Sequence, residues 1–211
     1  MLKVAVISYH ANAYQIYPLK WLEEYRDSIM NQTFQAYDLF EVNYGKTVGM
    51  IFWKSKSYQS REFPTFVHCM NWMLDYLFDE CGYDVVFNSN VDDIFHPQWM
   101  EKSLAAVKGG ADLVSCNFQL FNEHGIYHSH HFARLDIKKE LDRNHNVLCH
   151  PAIAYTKNFW SKGHRYVPDD IPYEDLKLWQ RAVNDSKIII LPDHLLLHRV
   201  HDNAVCRSNN R

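Results

Sequence analysis

The sequence has few chain-breaking residues and no long hydrophobic run. Its 211 residues include only 7 Gly and 7 Pro, which excludes collagen-like, linker-like and low-complexity proteins. No stretch approaches the roughly 18 consecutive apolar residues of a membrane-spanning helix. The apolar segment at the start of the chain is too short for a signal peptide, and no cleavage-type site follows it. These absences, together with the length, favour one globular domain without a membrane span.

The sequence also lacks a strong net charge and a cysteine framework. The 22 Lys and Arg residues against 25 Asp and Glu give a formal charge of −3, so nothing favours nucleic-acid binding through a basic surface. The 5 cysteines are scattered without a Cys-x-x-Cys pair. Such spacing argues against disulfides and zinc knuckles and favours reduced thiols, so we expect a cytoplasmic location.

What the sequence does contain is an alternation of apolar runs and amphipathic segments. Buried strands are predicted by the apolar runs at 4–8, 38–42, 83–87, 111–118 and 187–191. Amphipathic helices are predicted at 15–30, 64–79, 97–107 and 173–184. This alternation predicts an α/β fold with a mostly parallel central sheet flanked by helices. Ligands of such sheets bind beyond the carboxyl ends of the strands, so polar clusters that follow strands are the candidate sites.

A pair of carboxylates follows the third predicted strand. That strand leads into Asn90-Val91-Asp92-Asp93, and a helix is predicted to begin at Pro97. Adjacent carboxylates at a strand end suit Mg²⁺ or Mn²⁺, which prefer oxygen ligands and bridge to phosphates. The alternative is that the two acids cap the following helix. The sequence alone leaves both interpretations open.

Two further polar clusters occur in the second half of the chain. Glu174 and Asp175 open the helix predicted over 173–184, where acids either stabilise the helix dipole or present a rigidly held general base. Near the end, Arg199-Val200-His201 offers a guanidinium suited to phosphate and an imidazole suited to a metal ion. A lone histidine is more often an ordinary structural residue, so the metal role needs a further indication.

The order of these clusters resembles the GT-A glycosyltransferases, in particular the inverting nucleotide-sugar enzymes of family 2. The first predicted helix ends in a phrase similar to the family's S-I-x-N-Q-T, at 28–33. Asn90-Val91-Asp92-Asp93 resembles the D-x-D-D phrase, and 159–163 resembles the glycine-containing acceptor loop. The phrases at 174–181 and 199–201 are similar to E-D-x-x-L-W-x-R and R-V-H. The resemblance extends from about residue 3 to residue 205.

The resemblance implies a single GT-A, Rossmann-like domain over 1–211, with a nucleotide-binding half to about residue 95 and an acceptor-binding half from about residue 96. It implies that Asp92 and His201 bind Mn²⁺ or Mg²⁺. Asp175 would be the general base, with Glu174 as the next candidate. The nucleotide sugar would contact residues at the ends of the early strands and beside the metal: Ser8, Tyr9, His10, Asn43, Asn90, Asp93 and Arg199. The reaction would be direct displacement at the anomeric carbon with inversion.

Two residues depart from the family pattern and keep other functions open. Asn90 replaces the first acid of D-x-D, and Asn43 replaces the acid that meets the nucleotide base. A sugar-binding or nucleotide-binding protein of the same fold without catalysis is therefore one alternative. A sugar nucleotidyltransferase is another, although residues 8–13 lack the glycine-rich phosphate loop of that class.

The expected partners are a UDP-linked or dTDP-linked sugar and a glycan acceptor. A hexose or deoxyhexose donor is implied, and glucose and rhamnose are both consistent with it. The polar segment 119–146 is predicted to be a mobile loop near the acceptor. A zinc site from its histidines is disfavoured, because no Cys or acid stands at a matching spacing.

The compact length, which ends soon after the R-V-H phrase, is also similar to the N-terminal glycosyltransferase domain of a chlorella-virus protein. That similarity implies that the chain is part of a larger multidomain protein and acts in the host cytoplasm.

Overall fold

The computed structural model describes residues 2–47, 49–52 and 55–201. These residues form a nine-stranded sheet with helices on both of its faces. The strands are β1 (Val4–His10), β2 (Tyr37–Asn43), β3 (Ser57–Ser60), β4 (Val85–Asn90), β5 (Ile94–Phe95), β6 (Leu113–Asn122), β7 (Gly125–His130), β8 (Ala154–Thr156) and β9 (Ile188–Arg199). The helices are α1 (Ala13–Ile16), α2 (Leu19–Met30), α3 (Phe66–Asp75), α4 (Trp99–Lys108), α5 (Ile137–Asp142), α6 (Lys157–Ser161) and α7 (Glu174–Ala182). A π-helical turn over Tyr76–Glu80 extends α3, and 3₁₀ turns lie at His150–Ala152 and Pro168–Asp170.

The sheet topology brings the carboxyl ends of six strands to one edge: β1, β2, β3, β4, β6 and β9. Neighbouring strands follow the order β3-β2-β1-β4-β8-β6-β9-β5, and β7 pairs with β6. The longest ladders, β1–β2, β1–β4 and β6–β9, are parallel. Because β8 runs antiparallel to both β4 and β6, those two strands point the same way. The predicted α/β class with a mostly parallel sheet is confirmed, and the candidate residues that follow β1, β2, β4 and β9 share an edge.

Both faces of β1 are buried, as its uninterrupted apolar sequence predicts. Ala5 and Ile7 pack into one hydrophobic core with α3, α6 and α7, whereas Val4 and Val6 pack into a second core with α2 and α4. Side chains alternate between the two faces of a strand, so such a run has no solvent face. In the part of the chain that the structure describes, no helix has the length and apolar character needed to cross a bilayer.

The structure corrects three expectations from the sequence. The single helix expected over 15–30 is two helices, because Pro18 lies outside α2 as its N-cap residue and α1 ends before it. The segment expected to be a loop from residue 119 is a hairpin, since β6 continues to Asn122 and pairs with β7. The last strand, expected to end at 191, continues to Arg199 because it follows the full length of β6.

Candidate functional site

Neighbouring strands place the predicted nucleotide-side residues in register at the shared edge. Tyr9 lies beside Asn90, and His10 lies beside Asn43. The Tyr9 hydroxyl donates to Asn90 Oδ1 at 2.7 Å. Burial, then the neighbouring Tyr44 and Tyr155, and finally Asp92, raise the pKa of Tyr9, so this phenol stays protonated and remains a donor. Asn90 is thereby oriented by the strand next to its own.

The structure brings Asp92 and His201 into contact across the chain. Asp92 Oδ2 lies 3.0 Å from His201 Nε2, and both side chains are largely buried, with exposed fractions of 13% and 8%. The two residues are 109 positions apart in the sequence, so local structure alone does not bring them together. The contact depends on the turn after β4 and the end of β9 meeting at one edge.

The donor set of this pair fits a divalent cation. In an octahedral ion with bonds of about 2.1 Å, adjacent ligand atoms lie about 3.0 Å apart, which matches the separation of these two atoms. The His201 Nδ1 atom is buried and has no hydrogen-bond partner among the described residues, so it can carry the ring proton while Nε2 binds an ion. The described residues hold no group of three or more His, Cys, Asp or Glu side chains arranged for a metal. The pair would therefore leave most coordination positions to a substrate and water.

Arg199 is held by protein groups. Its Nε donates to the Asp92 carbonyl at 2.9 Å, and one terminal nitrogen donates to Glu24 at 2.6 Å. The guanidinium also lies over the rings of Trp21 and Phe121, 4.6 and 4.3 Å from their centroids. These contacts use Nε and one terminal nitrogen of Arg199, and they fix the turn that carries Asp92.

Asp93 is fully buried and connects the turn after β4 to β9. Its Oδ1 accepts from His198 Nδ1 at 3.0 Å and from the Arg199 backbone N–H at 2.9 Å. Burial alone would lower the pKa of His198, but the Asp93 carboxylate outweighs it and raises the pKa to about 9. The ring is therefore charged at neutral pH, and the ion pair fixes β9 against the turn. Asp93 Oδ2 is buried and has no partner among the described residues.

The two acids at the start of α7 have different environments. Asp175 accepts from Asn146 Nδ2 at 2.8 Å and from the Leu176 backbone N–H at 2.6 Å. Glu174 is half-buried, and burial raises its pKa. Its Oε2 atom is buried and has no hydrogen-bond partner among the described residues. The oriented carboxylate of the two is thus Asp175.

Asp175 and Asp93 both affect the pKa of the same buried thiol, that of Cys149. Burial raises the pKa of the Cys149 thiol, and the charges of Cys116, Asp93 and Asp175 raise it further. Asp175 also opposes the effect of burial, which lowers the pKa of His150. Asp93 and Asp175 therefore both lie within electrostatic range of Cys149.

The ends of β1 and β2 are more closed than the sequence suggested. His10 Nε2 donates to the buried Glu41 at 3.0 Å, and Glu41 also accepts from the backbone N–H groups of Ile51 and Phe52. Asn43 accepts from the Gly45 backbone and donates to Thr47. Its Oδ1 also accepts from the Asn12 backbone N–H at 3.3 Å, so the Asn43 amide joins the loop after β2 to the turn after β1. Ser8 is buried.

Several residues of the site were not singled out from the sequence. Tyr17 and Trp21 place their rings 5.6 and 5.0 Å from the His201 ring, and Glu24 pairs with Arg199. A signal existed for Trp21 and Glu24, since a spacing of three residues puts their side chains on one face of α2. Tyr17 precedes α2 and carried no such signal. Asn146 and Glu41 carried no such signal, because their partners are set by tertiary packing.

The histidine-rich hairpin brings imidazole rings into contact with one another. His128 lies 4.5 Å from His130, and His131 lies 4.6 Å from His194, measured between ring centroids. In residues 2–47, 49–52 and 55–201 these pairs do not combine into a three-ligand group.

Comparison with solved structures identifies the fold. No family model matches the chain, and no curated protein sequence matches it significantly. TarS of S. aureus superposes with a TM-score of 0.68 at 15% identity, over 95% of this chain and 37% of that one. A shorter TarS chain in complex with UDP-GlcNAc gives 0.67 at 12% identity, over 96% and 60%.

The mannosyltransferase PcManGT from Pyrobaculum calidifontis, in complex with GDP-Man and Mn²⁺, gives a TM-score of 0.68 at 13% identity, over 96% of this chain and 58% of that one. This chain therefore spans less than two thirds of each of these relatives. At such identities the likeness establishes a shared fold, and the glycosyltransferase fold predicted from the motif order is confirmed at that level.

Proposed function

We propose that this chain is an inverting glycosyltransferase. It would transfer a hexose or deoxyhexose from a nucleoside-diphosphate sugar to a hydroxyl of a glycan acceptor. The observation that carries the proposal is the contact between Asp92 and His201 at the carboxyl edge of a glycosyltransferase-type sheet. A second oriented carboxylate, Asp175, lies within electrostatic range of Cys149, as does Asp93. The relatives crystallised with UDP-GlcNAc and with GDP-Man and Mn²⁺ support a nucleotide-sugar donor.

Asp92 and His201 are the residues that would hold Mn²⁺ or Mg²⁺. A divalent ion supplies charge neutralisation for the departing diphosphate. The mixed oxygen and nitrogen donor set favours Mn²⁺, since imidazole is a better ligand for transition metals than for Mg²⁺. Arg199 and Asp93 would act by keeping the Asp92 turn in place, through the contacts to Glu24 and His198.

Asp175 would accept the proton of the acceptor hydroxyl while that oxygen attacks the anomeric carbon. The Asn146 amide and the Leu176 backbone N–H orient the carboxylate and leave it lone pairs for the acceptor. Glu174 is less suited, because its Oε2 is enclosed by protein. One base and no protein nucleophile give inversion at the anomeric carbon.

The test is release of nucleoside diphosphate from a panel of UDP-, dTDP- and GDP-linked sugars, with Mn²⁺ and mixed glycan acceptors. Asp175→Asn keeps size and hydrogen bonding but cannot accept a proton, so we expect kcat to fall about 10²-fold or more with little change in donor KM. Asp169→Asn, the same chemical change at an exposed acid outside α7, is the control and should act like wild type.

Retention of transfer within about threefold of wild type would remove Asp175 from the role and make Glu174 the next candidate. Binding of a nucleotide sugar with no turnover for any acceptor would favour the non-catalytic alternative.

A further inference from the structure

A patch of aromatic and histidine rings lies between the two acidic clusters, and the mechanism above does not use it. We call it the ring platform. Its members lie on β6, on or after β7, after α5 and on β9: Phe118, His128, His130, Phe132, His145 and His198.

The ring platform is continuous. Phe118 lies 4.5 Å from His130 and 6.2 Å from His198, measured between ring centroids. Phe132 lies 4.9 Å from His130 and 5.6 Å from His145. Each of these rings therefore touches the next one, and together they form a surface and not a set of isolated side chains.

Both ends of the ring platform reach the proposed reaction site. At one end, His198 donates to Asp93, the neighbour of Asp92. At the other end, His145 directly precedes Asn146, which donates to Asp175. A group that lies on the platform is thus bounded by the metal-side carboxylates and by the base.

The ring platform is open to solvent and its shape is fixed. His128 and His145 are exposed, and the remaining rings are partly exposed. The Phe132 and Ala133 backbone N–H groups donate to the buried Asn117 side chain at 2.7 and 3.1 Å. This anchors the chain where it leaves β7, so Phe132 is presented by a rigid backbone.

The histidines at the two ends of the platform each contact a carboxylate, His198 that of Asp93 at 3.0 Å and His145 that of Glu140 at 2.8 Å. Burial, followed by the neighbouring His128, His145, His198 and His131, lowers the pKa of His130 and keeps that ring neutral. The charge of His198 is balanced by Asp93. Neutral imidazoles offer one donor and one acceptor each beside apolar ring faces, which is the combination that binds hydroxylated, uncharged rings.

We propose that the ring platform is the acceptor subsite, and that the acceptor it takes is an uncharged sugar stacked on Phe132 and His130. This inference rests on the proposed function, because that function defines what lies at the two ends of the platform. It adds the chemical class of the acceptor, which neither the fold nor the relatives specify.

The first test is direct binding and does not require turnover. Histidine side-chain NMR signals are followed while methyl glucoside, methyl mannoside and methyl galactoside are titrated in, with UDP and Mg²⁺ present, because Mg²⁺ is diamagnetic. We expect the His130 and His128 signals to shift. The His124 signal should not shift, because His124 lies at the hairpin turn, outside the ring platform, with 83% of its side chain exposed to solvent. Absence of a His130 shift with every sugar, or a shift only with glucose 6-phosphate, would overturn the proposal.

The second test separates acceptor from donor. His130→Ala and Phe132→Leu should raise the KM for the acceptor about three- to tenfold and the donor KM by less than twofold, the size expected for loss of one ring contact. His124→Ala on the same hairpin is the matched control. Equal acceptor KM values in His130→Ala, Phe132→Leu and His124→Ala would reject the platform while leaving the proposed transferase intact. A wild type without turnover would instead reject the transferase, and the NMR titration would still decide the platform.

Discussion

At the scale of single residues, the site depends on pairs that the chain brings together from distant positions. Asp92 contacts His201, and Asp175 contacts Asn146. In each pair one member belongs to a motif readable from the sequence. The partner of Asp175, by contrast, is an asparagine in a polar stretch with nothing to mark it. Residue types and order predicted Asp92, His201 and Asp175 as candidates, whereas the groups that orient them required coordinates.

The Asp92–His201 pair allows a prediction about metal binding. If both side chains hold one ion at the diphosphate, Asp92→Ala and His201→Ala should each weaken UDP binding at least about tenfold in Mn²⁺. The double variant should be little worse than either single one, because one lost ligand already disrupts the shared site. Calorimetric titration of UDP, with Mn²⁺ or with chelator, measures these affinities, and His124→Ala serves as the control.

Additive losses in the two single variants would assign the ion to Asp92 and return His201 to an ordinary structural role. Asp175→Asn should keep wild-type UDP affinity, since the proposed base would meet the acceptor and not the diphosphate.

At the scale of elements, the hydrophobic periodicity predicted most strands and helices. It failed for segments that become strands only because they pair with another strand. The apolar run of β1 and the amphipathic pattern of α7 are local signals, and both elements form close to where they were predicted. The second half of β9 is separated from the apolar run by Pro192 and Asp193, and β7 has no such pattern. They are strands because β6 supplies a ladder for them on both of its edges.

The connection of β9 to the turn after β4 gives a prediction about stability and pH. His198 has a pKa of about 9 in the folded chain, above its ordinary value near 6.5. Its ion pair with Asp93 therefore contributes fully below about pH 6.5 and is lost as the pH rises through 9. The contribution is at most about 3 kcal/mol. We expect the free energy of unfolding from urea titrations to fall between pH 7 and pH 9.5.

The control for this prediction is His198→Gln, which can still donate to Asp93 but does not titrate. Burial also raises the pKa of three cysteine thiols, those of Cys69, Cys116 and Cys149. Because these thiols ionise more readily in the unfolded chain, both proteins lose folding stability above about pH 8.5. The difference between wild type and His198→Gln isolates the histidine. An equal pH dependence in the two proteins would show that the ion pair adds no stability.

At the scale of the whole molecule, the fold explains why the site could be located before its geometry was known. Alternating strands and helices predict a parallel sheet, and a parallel sheet collects its strand ends at one edge. That rule placed residues after β1, β2, β4 and β9 together. It could not show that Asn43 accepts from the backbones of Gly45 and Asn12 or that Arg199 is paired with Glu24, because those contacts depend on side-chain packing that leaves no periodic pattern in the sequence.

The same architecture predicts how the whole chain should respond to a donor. The site joins the ends of strands from both halves of the sheet, so a ligand that binds only the assembled edge must stabilise the entire fold by mass action. At a concentration about 100-fold above Kd the gain is about 2.7 kcal/mol, or a rise in Tm of roughly 5–10 °C for a chain of this size. A thermal-shift screen of UDP, dTDP and GDP, each with Mn²⁺ or with chelator, measures it. The shift should require the metal, should vanish in Asp92→Ala, and should persist in Asp169→Asn. A shift of equal size in chelator would mean that the nucleotide binds through protein groups alone, and Asp92 and His201 would then hold the turn after β4 to the end of β9 without holding an ion.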